Sequence, residues 1–178
     1  MASTLYALIA VFAFSILGLT IHRHVNDTER SAITSELESA GLDVALAWAN
    51  RVKDYAFDEA DVGELGMRAE GDVAGLAAPT NLGPEAGEAD PATFDDVDDF
   101  NGYAFVVSQP VAGGVQDFAV SFVVRYVDPL DFEVGSTTTT TAKEVAVVVR
   151  AVEATSDRPP VVASLAVPLT PAKLFLHQ

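Results

Sequence analysis

The segment of this sequence best suited to chemistry is Phe94–Gly102, FDDVDDFNG, which holds four aspartates. Clustered carboxylates beside Asn and Gly can surround a hard cation such as calcium, which takes about six to eight oxygen ligands. The spacing is not that of an EF-hand, because Val97 stands at the third position counted from Asp95. We expect a solvated acidic turn, pinned by its two phenylalanines, in which the final Asn-Gly supplies left-handed backbone. A bound cation is the alternative.

Residues typical of catalysis are few. The three histidines are His22, His24 and His177, and none stands near a patterned nucleophile. Glycine-rich phosphate loops and the HExxH and GxSxG motifs do not occur in the sequence. Acid pairs are abundant, but an acidic surface produces them without catalysis. We therefore predict a protein that is not an enzyme, with no catalytic residue, no cofactor-binding residue and no metal ligand.

The charge of the chain limits its partners. Its 178 residues carry a formal net charge of −16 and include no cysteine. Nucleic-acid phosphates would repel so acidic a chain, so we expect no nucleic-acid partner. The lack of cysteine excludes disulfides and thiolate metal sites. Surplus carboxylate keeps a protein soluble where salt screens self-repulsion, and both a saline habitat and an ordinary acidic secreted protein fit this composition.

These side chains need elements to position them, and the first is an apolar run from Thr4 to Ile21 without charge or proline. Its length is close to the roughly 17–25 residues with which a helix crosses a bilayer. A cleavable signal would begin with a charged region and end at a small-residue cleavage site, whereas His22-Arg23-His24 follows this run. We expect a retained helix that lies in a membrane or in a filament core. Flanking charges leave its orientation open.

Helical signals continue from this run to about Phe57, so residues 1–57 are predicted to form one long helix. Apolar residues recur at steps of three and four along its second half, which is typical of an amphipathic helix lying on a core. This stripe comprises Ile33, Leu37, Ala40, Val44, Trp48, Val52 and Tyr55, widened by Leu42, Leu46 and Ala49. Asp27, Thr28 or Ser31 can cap a fresh helix start, so a break near Asn26 is the alternative.

The remaining residues, 58–178, suffice for one small globular domain. Residues 58–102 are rich in Gly, Pro and acids and predict a connecting region with at most a short strand or turn. Residues 103–178 predict an antiparallel sheet of about four strands. The predicted strands are Tyr103–Gln109, Asp117–Val127, Thr139–Glu153 and Val161–Val167, with turns at Gly113-Gly114 and residues 156–160. The fold class is therefore α+β, with the long helix covering the sheet.

One low-complexity run, the five threonines Thr137–Thr141, precedes the third strand. It fits an exposed loop better than the start of an edge strand. In a secreted protein such a run is also a compositional candidate for O-linked sugar.

This layout resembles that of type IV pilins and pseudopilins, in which an apolar helix continues into an amphipathic one and then into an antiparallel sheet. The string DDVDDFNG (95–102) is similar to a segment of a subset of prepilin-type proteins. The string KDYAFDE (53–59) resembles the end of their first helix, and AKEVAVVVRAVE (142–153) with PPVVASLAVPLT (159–170) resembles their closing hairpin. Together these segments span most of the chain, and their order is more specific than any one of them.

The chain departs from that family at its first helix. Pilins usually carry a glycine before the processing site, an aromatic residue after it and a glutamate four positions further on. Here Met1-Ala2-Ser3 precedes the apolar run, and Thr4–Ile21 contains no acid. We expect either an unprocessed relative or one whose apolar helices bundle by packing alone, with small residues such as Ala10 and Gly18 allowing close approach.

The resemblance implies a structural subunit of an extracellular type IV pilus-like filament, assembled from identical copies through the apolar helix. Its expected location is the cell surface, with the inner membrane before assembly and the pilus assembly machinery as a further partner. The alternative is a single-span membrane-anchored pseudopilin or accessory protein with an extracytoplasmic binding domain. A filament core favours one unbroken helix through Asn26, whereas a simple anchor permits a hinge there.

Overall fold

The structure, a computed structural model, describes residues 2–62, 67–69, 71–112, 114–152 and 160–173, without the side chains of residues 2–11, 13, 67, 172 and 173. The chain divides into two compact units, Met1–Ser39 and Ala40–Gln178. Some features predicted from the sequence lie outside the described residues, namely His177, Gly113 and nearly all of the turn at 156–160.

The first unit is helical. Helix α1 (Ala2–Val52) begins here and continues without interruption through Asn26. Three polar side chains on this helix donate their hydroxyls to the carbonyl four residues earlier, namely Thr20, Thr28 and Thr34. The predicted apolar run lies only partly within the described side chains. Among the described residues, no helix combines the length and the apolar character needed to cross a membrane.

The second unit contains an antiparallel sheet. The strands of this unit are β1 (Met67–Arg68), β2 (Ala104–Val111), β3 (Gly114–Asp128), β4 (Asp131–Gly135), β5 (Lys143–Ala151), β6 (Val161–Leu169) and β7 (Ala172–Lys173). β2, β3, β5 and β6 lie side by side in that order, all antiparallel, while β4 pairs with β3. β1 and β7 form a separate parallel pair. The α+β class is confirmed, with five strands in the main sheet rather than about four.

Alternation along β3 and β5 builds the core. Every second residue is buried from Phe118 to Tyr126 on β3 and along the whole of β5, because side chains two apart share one face of a sheet. The buried set on β3 is Phe118, Val120, Phe122, Val124 and Tyr126, as predicted. On β5 the same face carries Val145, Val147 and Val149, together with Lys143 at its first position.

Several predicted strand limits were wrong: β3 begins at Gly114 rather than Asp117, β5 begins at Lys143 rather than Thr139, and β6 continues to Leu169 rather than ending at Val167. β2 was expected to stop before Pro110, but it continues to Val111. It is an edge strand of the sheet, where a residue without an N–H group is tolerated. β4 was not predicted, and its five residues are all exposed.

The second half of α1 lies on the sheet through nearly the predicted face. Val44, Ala49 and Val52 are buried, and the Trp48 ring centroid lies 4.7 Å from that of Phe105. The widening of the stripe was predicted on the wrong side, since Leu42 and Leu46 are exposed. Ile33 is exposed as well. The flank is formed instead by two small residues, Gly41 and Ala45, which are both buried. The small size of Gly41 lets the neighbouring strand approach closely.

The predicted helix end near Phe57 was also wrong, since α1 ends at Val52. The residue responsible is Ala56, whose N–H donates to the carbonyl of Asp95 at 3.2 Å. Its own carbonyl accepts from the N–H of Val97 at 3.0 Å. A residue that forms this bridge to the acidic segment cannot also continue the helix ladder, so the helix must end before it.

Residues 58–102 contain little regular structure beyond β1 and two 3₁₀ turns, Glu59–Asp61 and Asp98–Phe100. They still contribute to the core, since Phe94, Val97 and Phe100 are buried. Arg68 donates from Nε to both carboxylate oxygens of Asp61, at 2.7 and 3.0 Å, and both side chains are largely shielded from solvent. The connecting region is therefore an integral layer of this unit.

The threonine run Thr137–Thr141 forms the loop between β4 and β5, which agrees with the favoured prediction. Two of its hydroxyls are engaged internally. Thr140 Oγ1 lies 2.7 Å from the carbonyl of Val127, and Thr139 Oγ1 lies 3.3 Å from that of Ala77. Thr137 and Thr138 are the exposed members of the run.

We predict that Gly41→Ala lowers the free energy of unfolding by about 1 kcal/mol. Alanine favours a helix over glycine by about 1 kcal/mol, but overpacking costs about 1–3 kcal/mol. A Cβ at this position would lie 2.5 Å from Cγ2 of Val162 on β6. Urea unfolding of the chain in detergent, followed by the fluorescence of Trp48, its single tryptophan, measures the change.

The control is the same substitution in a Val162→Ala background, where the clash is removed. There Gly41→Ala should become stabilising. A single Gly41→Ala variant more stable than the parent chain would contradict this account of the close approach.

Candidate functional site

Aromatic rings fix the position of the acidic segment 94–102. Phe94 and Phe100 are buried, with ring centroids 5.1 Å apart and nearly perpendicular. Tyr55 lies against the other side of Phe100 at 4.9 Å. Gly102 follows with a φ of +80°, the left-handed backbone that the Asn-Gly pair predicted. The two phenylalanines therefore pin the segment as expected.

The prediction of a solvated turn, however, was wrong for three of the four aspartates: only Asp95 is exposed, whereas Asp96, Asp98 and Asp99 are buried. Two of them bind the amides of the segment itself. Asp96 Oδ1 accepts from the N–H of Asp98 at 2.5 Å, and Asp99 Oδ2 accepts from the N–H groups of Asp95 and Asp96 at 3.0 and 3.2 Å. These bonds bend the segment, and the carboxylates of Asp96 and Asp98 lie in its interior.

A buried ammonium group meets the third of these carboxylates. Lys143 is completely buried, and its Nζ donates to Asp98 Oδ1 at 2.5 Å. The same nitrogen donates to Asp58 Oδ2 at 2.8 Å and to the carbonyl of Phe57 at 2.7 Å. An ammonium has three N–H donors, so this environment satisfies all of them.

Aromatic side chains complete this environment. Nζ of Lys143 lies 4.5 Å from the ring centroid of Phe57 and 5.1 Å from that of Tyr126, within the range of cation–π attraction. The Tyr126 hydroxyl lies 3.3 Å from Asp58 Oδ2 and donates to the carbonyl of Ala77 at 2.9 Å. We call Lys143, Asp58, Asp98 and Tyr126 the buried ionic centre.

Burial shifts the titration of the carboxyl groups here. The pKa of Asp96 is raised to about 8, first by burial and then by the charges of Asp98 and Asp99, against the lowering effect of Lys143. The pKa of Asp98 is raised to about 6 by burial, although its contact with Lys143 lowers it. Asp96 Oδ2 and Asp98 Oδ2 are buried and have no hydrogen-bond partner among the described residues.

The arrangement binds segments together rather than performing chemistry on a substrate. Its four side chains are each at most a few per cent exposed, so a solute has no access to the ammonium. The sequence analysis missed Lys143, although a signal was present. Lys143 is in phase with Val145, Val147 and Val149, so the alternation of the strand itself placed a lysine on the buried face.

A second group of carboxylates lies on the outer side of the acidic segment. Glu59, Glu88 and Asp95 bring one carboxylate oxygen each within 4.8 Å of one another, and so do Glu85, Glu88 and Asp99. The pKa of Glu85 is raised to about 7 by burial and by its contact with Glu88. Of the described residues, these two overlapping triads are the ones arranged so that they could hold a metal ion.

The exposed part of α1 presents a different kind of surface. Between Phe12 and Ile21, the large apolar side chains with at least half of their surface exposed are Phe12, Phe14, Ile16, Leu17, Leu19 and Ile21. At about 100° per residue these positions fall on two opposite sides of a helix, with Phe12, Ile16 and Leu19 on one side and Phe14, Leu17 and Ile21 on the other. His22 and His24 follow them on the same helix and are exposed.

Comparison with family models, curated proteins and solved structures finds no match to this chain in any of the three.

We predict that Lys143→Met lowers the free energy of unfolding by about 3–5 kcal/mol, because removing one partner leaves buried carboxylates without a counter-ion. Urea unfolding with Trp48 fluorescence measures the loss. Lys53→Met is the matched control, since Lys53 is exposed and its Nζ donates to Asn50 Oδ1 at 3.3 Å. That variant should stay within about 0.5 kcal/mol of the parent chain. Equal unfolding midpoints for the two variants would show that the buried ionic centre does not hold this unit together.

We also predict that the free energy of unfolding falls as the pH rises from about 5 to 8. The measurement is made in a chelator so that no metal ion binds to the carboxylates. The pKa of Asp96 is about 8 in the folded chain and 3.8 as its ordinary value. The folded state therefore keeps a proton that the unfolded state has lost, and the free energy of unfolding decreases with pH across that interval, by at most about 1.4 kcal/mol per pH unit for one group.

Asp96→Asn is the control for this pH dependence, because the amide oxygen still accepts from the backbone N–H of Asp98 while the charge is removed. Its stability should vary less with pH than that of the parent chain. Unfolding midpoints that rise between pH 5 and pH 8 in the parent chain would contradict the assignment.

Proposed function

We propose that this chain is the structural subunit of an extracellular type IV pilus-like filament, and that copies of it assemble through the apolar part of α1. The observation that carries the proposal is the distribution of apolar side chains around α1. A helix with large apolar side chains on two opposite sides is stable only where both sides are buried. A pairwise contact would cover one face, whereas a bundle of many helices covers every face.

The continuity of α1 supports the same proposal. The helix passes Asn26 without a break. A filament core favours such an unbroken helix, whereas a simple membrane anchor permits a hinge at that point. Small residues in the apolar segment, such as Ser15 and Gly18, suit close approach of neighbouring helices. Lipid tails are as apolar as the helix side chains, so the association of such helices relies on close packing.

In this proposal the second unit forms the outer surface of the filament. Its acidic character keeps that surface soluble, and its sheet is covered on one face by α1 and the acidic segment. Before assembly, the apolar helix would reside in the inner membrane, and the assembly machinery would draw the subunit from there. The single-span accessory protein is the other candidate, and the experiment below separates the two.

We predict that Leu17→Asp abolishes filament formation. Leu17 is 54% exposed in the chain, and a charge at this point of an apolar bundle would be buried without a partner. Ser35→Asp is the matched control, since it adds the same charge at an exposed polar position of the same helix. Filaments sheared from intact cells, pelleted, imaged by negative stain and analysed by mass spectrometry provide the measurement.

Thin filaments made chiefly of the parent chain and of Ser35→Asp, but not of Leu17→Asp, are the expected result. Recovery of the parent chain only in detergent extracts of membranes would establish the anchored accessory protein instead. Abundant normal filaments from Leu17→Asp would contradict assembly through the apolar segment.

A further inference from the structure

Carboxylates from separate parts of the chain converge on Glu88. Glu59 comes from the first 3₁₀ turn, Glu85 from the turn that also holds Glu88, and Asp95 and Asp99 from the acidic segment. The ligand oxygens within each of the two triads described above lie within 4.8 Å of one another. Oxygens about 2.4 Å from one shared ion can be at most about that far apart. Each triad is therefore small enough to surround one calcium-sized ion.

A second observation concerns Asp99, which is completely buried. Its Oδ2 accepts from two backbone N–H groups, but its Oδ1 is buried and has no hydrogen-bond partner among the described residues. Its carboxylate is also one of the groups that face Glu85 and Glu88. A charged oxygen that is removed from water without a donor is strongly unfavourable, so this position requires a positive charge or a proton.

The carboxylates on the inner side of the acidic segment have a different electrostatic environment from those on its outer side. Asp58 and Asp98 share the ammonium of Lys143. The charged groups that act on Glu85, Glu88 and Asp99 are carboxylates alone. Among the described residues, the acidic segment thus has Lys143 on its inner side and further acids on its outer side.

We propose that a calcium ion binds on the outer side of the acidic segment, with Glu85, Glu88 and Asp99 as protein ligands; Glu59 and Asp95, which form the other triad with Glu88, are the neighbouring carboxylates. Calcium takes about six to eight oxygens in flexible geometry, and carboxylates bind it with one or two oxygens. Magnesium demands near-ideal octahedral geometry and keeps most of its waters, so a carboxylate-rich site suits calcium better. The ion would tie the 85–88 turn to the acidic segment.

This calcium site is independent of the filament assembly proposed above, because no ligand lies on α1. It also differs from the site considered in the sequence analysis. Asp96 and Asp98, which a loop site would use, turn toward the core, while Glu85 and Glu88 come from a turn earlier in the chain.

The test is calcium binding by the full chain in detergent, from metal-free buffer. Equilibrium dialysis should find about one calcium ion per chain, with a Kd at or below about 10⁻³ M, the weak end for extracellular modules. Thermal unfolding should shift upward by several degrees with calcium, as binding to the folded state requires, and less with magnesium at equal ionic strength.

Two variants that each remove one charge sharpen the test. Glu88→Gln removes the ligand that both triads share, and Glu133→Gln removes the charge of an exposed glutamate on β4. Calcium should raise the unfolding temperature of Glu133→Gln as in the parent chain, and its Kd for Glu88→Gln should be at least about tenfold weaker. In chelator, Glu88→Gln should be no less stable than the parent chain, since it relieves repulsion between acids.

Several results would overturn the proposal. The parent chain binding no calcium up to about 10 mM, above the range of extracellular modules, would mean that a shared proton neutralises the cluster. Equal calcium shifts in Glu88→Gln and the parent chain would mean diffuse screening of an acidic surface. Equal shifts in unfolding temperature with magnesium and with calcium would show that the site does not select calcium.

Discussion

The buried ammonium of Lys143 is the interaction on which the second unit depends. It joins three segments that are distant in sequence, namely the chain leaving α1 at Phe57 and Asp58, the acidic segment at Asp98, and the first residue of β5. Burying these charges is costly, and only good geometry with every donor satisfied offsets the loss of water. That requirement admits few arrangements of the three segments, so the ionic centre selects one packing rather than merely adding stability.

The end of α1 illustrates this selection. The helix pattern of the sequence runs on past Val52, and intrinsic preference alone would have extended the helix. The bridge between Ala56 and the acidic segment takes the N–H of Ala56 out of the helix ladder, and Asp58, which contacts Lys143, has extended backbone. Tertiary contacts therefore override a local preference that is worth only tenths of a kcal/mol per residue. The acidic segment in turn is shaped by its own amide bonds, so its inward carboxylates are already oriented for the lysine.

The sequence predicts features that depend on neighbouring residues and fails to predict those that depend on residues far away in the chain. The inward residues of β3 and the apolar stripe from Val44 to Val52 were predictable, because alternation and helical period are local properties. The burial of Asp98 was not, because its partner is 45 residues away and aspartate is exposed by default. The flank of the stripe was misplaced for a related reason: a glycine signals close approach only when the opposing strand is known. Neither acidic triad could be derived, since Glu85 and Glu88 meet Asp99 only after the connecting region folds.

The chain has an excess of negative charge and an excess of apolar surface, and its fold compensates each of them only in part. Negative charge on the inner side of the acidic segment is balanced by Lys143, whereas no cationic group of the described residues lies between Glu85, Glu88 and Asp99. Apolar surface is likewise buried at Val44–Val52 but left exposed at Phe12–Ile21. A soluble monomer seldom keeps large exposed apolar patches, and buried unpaired carboxylates are equally rare. Each is the observation behind one of the two proposals above, and the chemistry that it calls for differs: apolar surroundings for the helix, a hard cation for the carboxylates. Because the two features lie in different units, the two proposals can be tested separately.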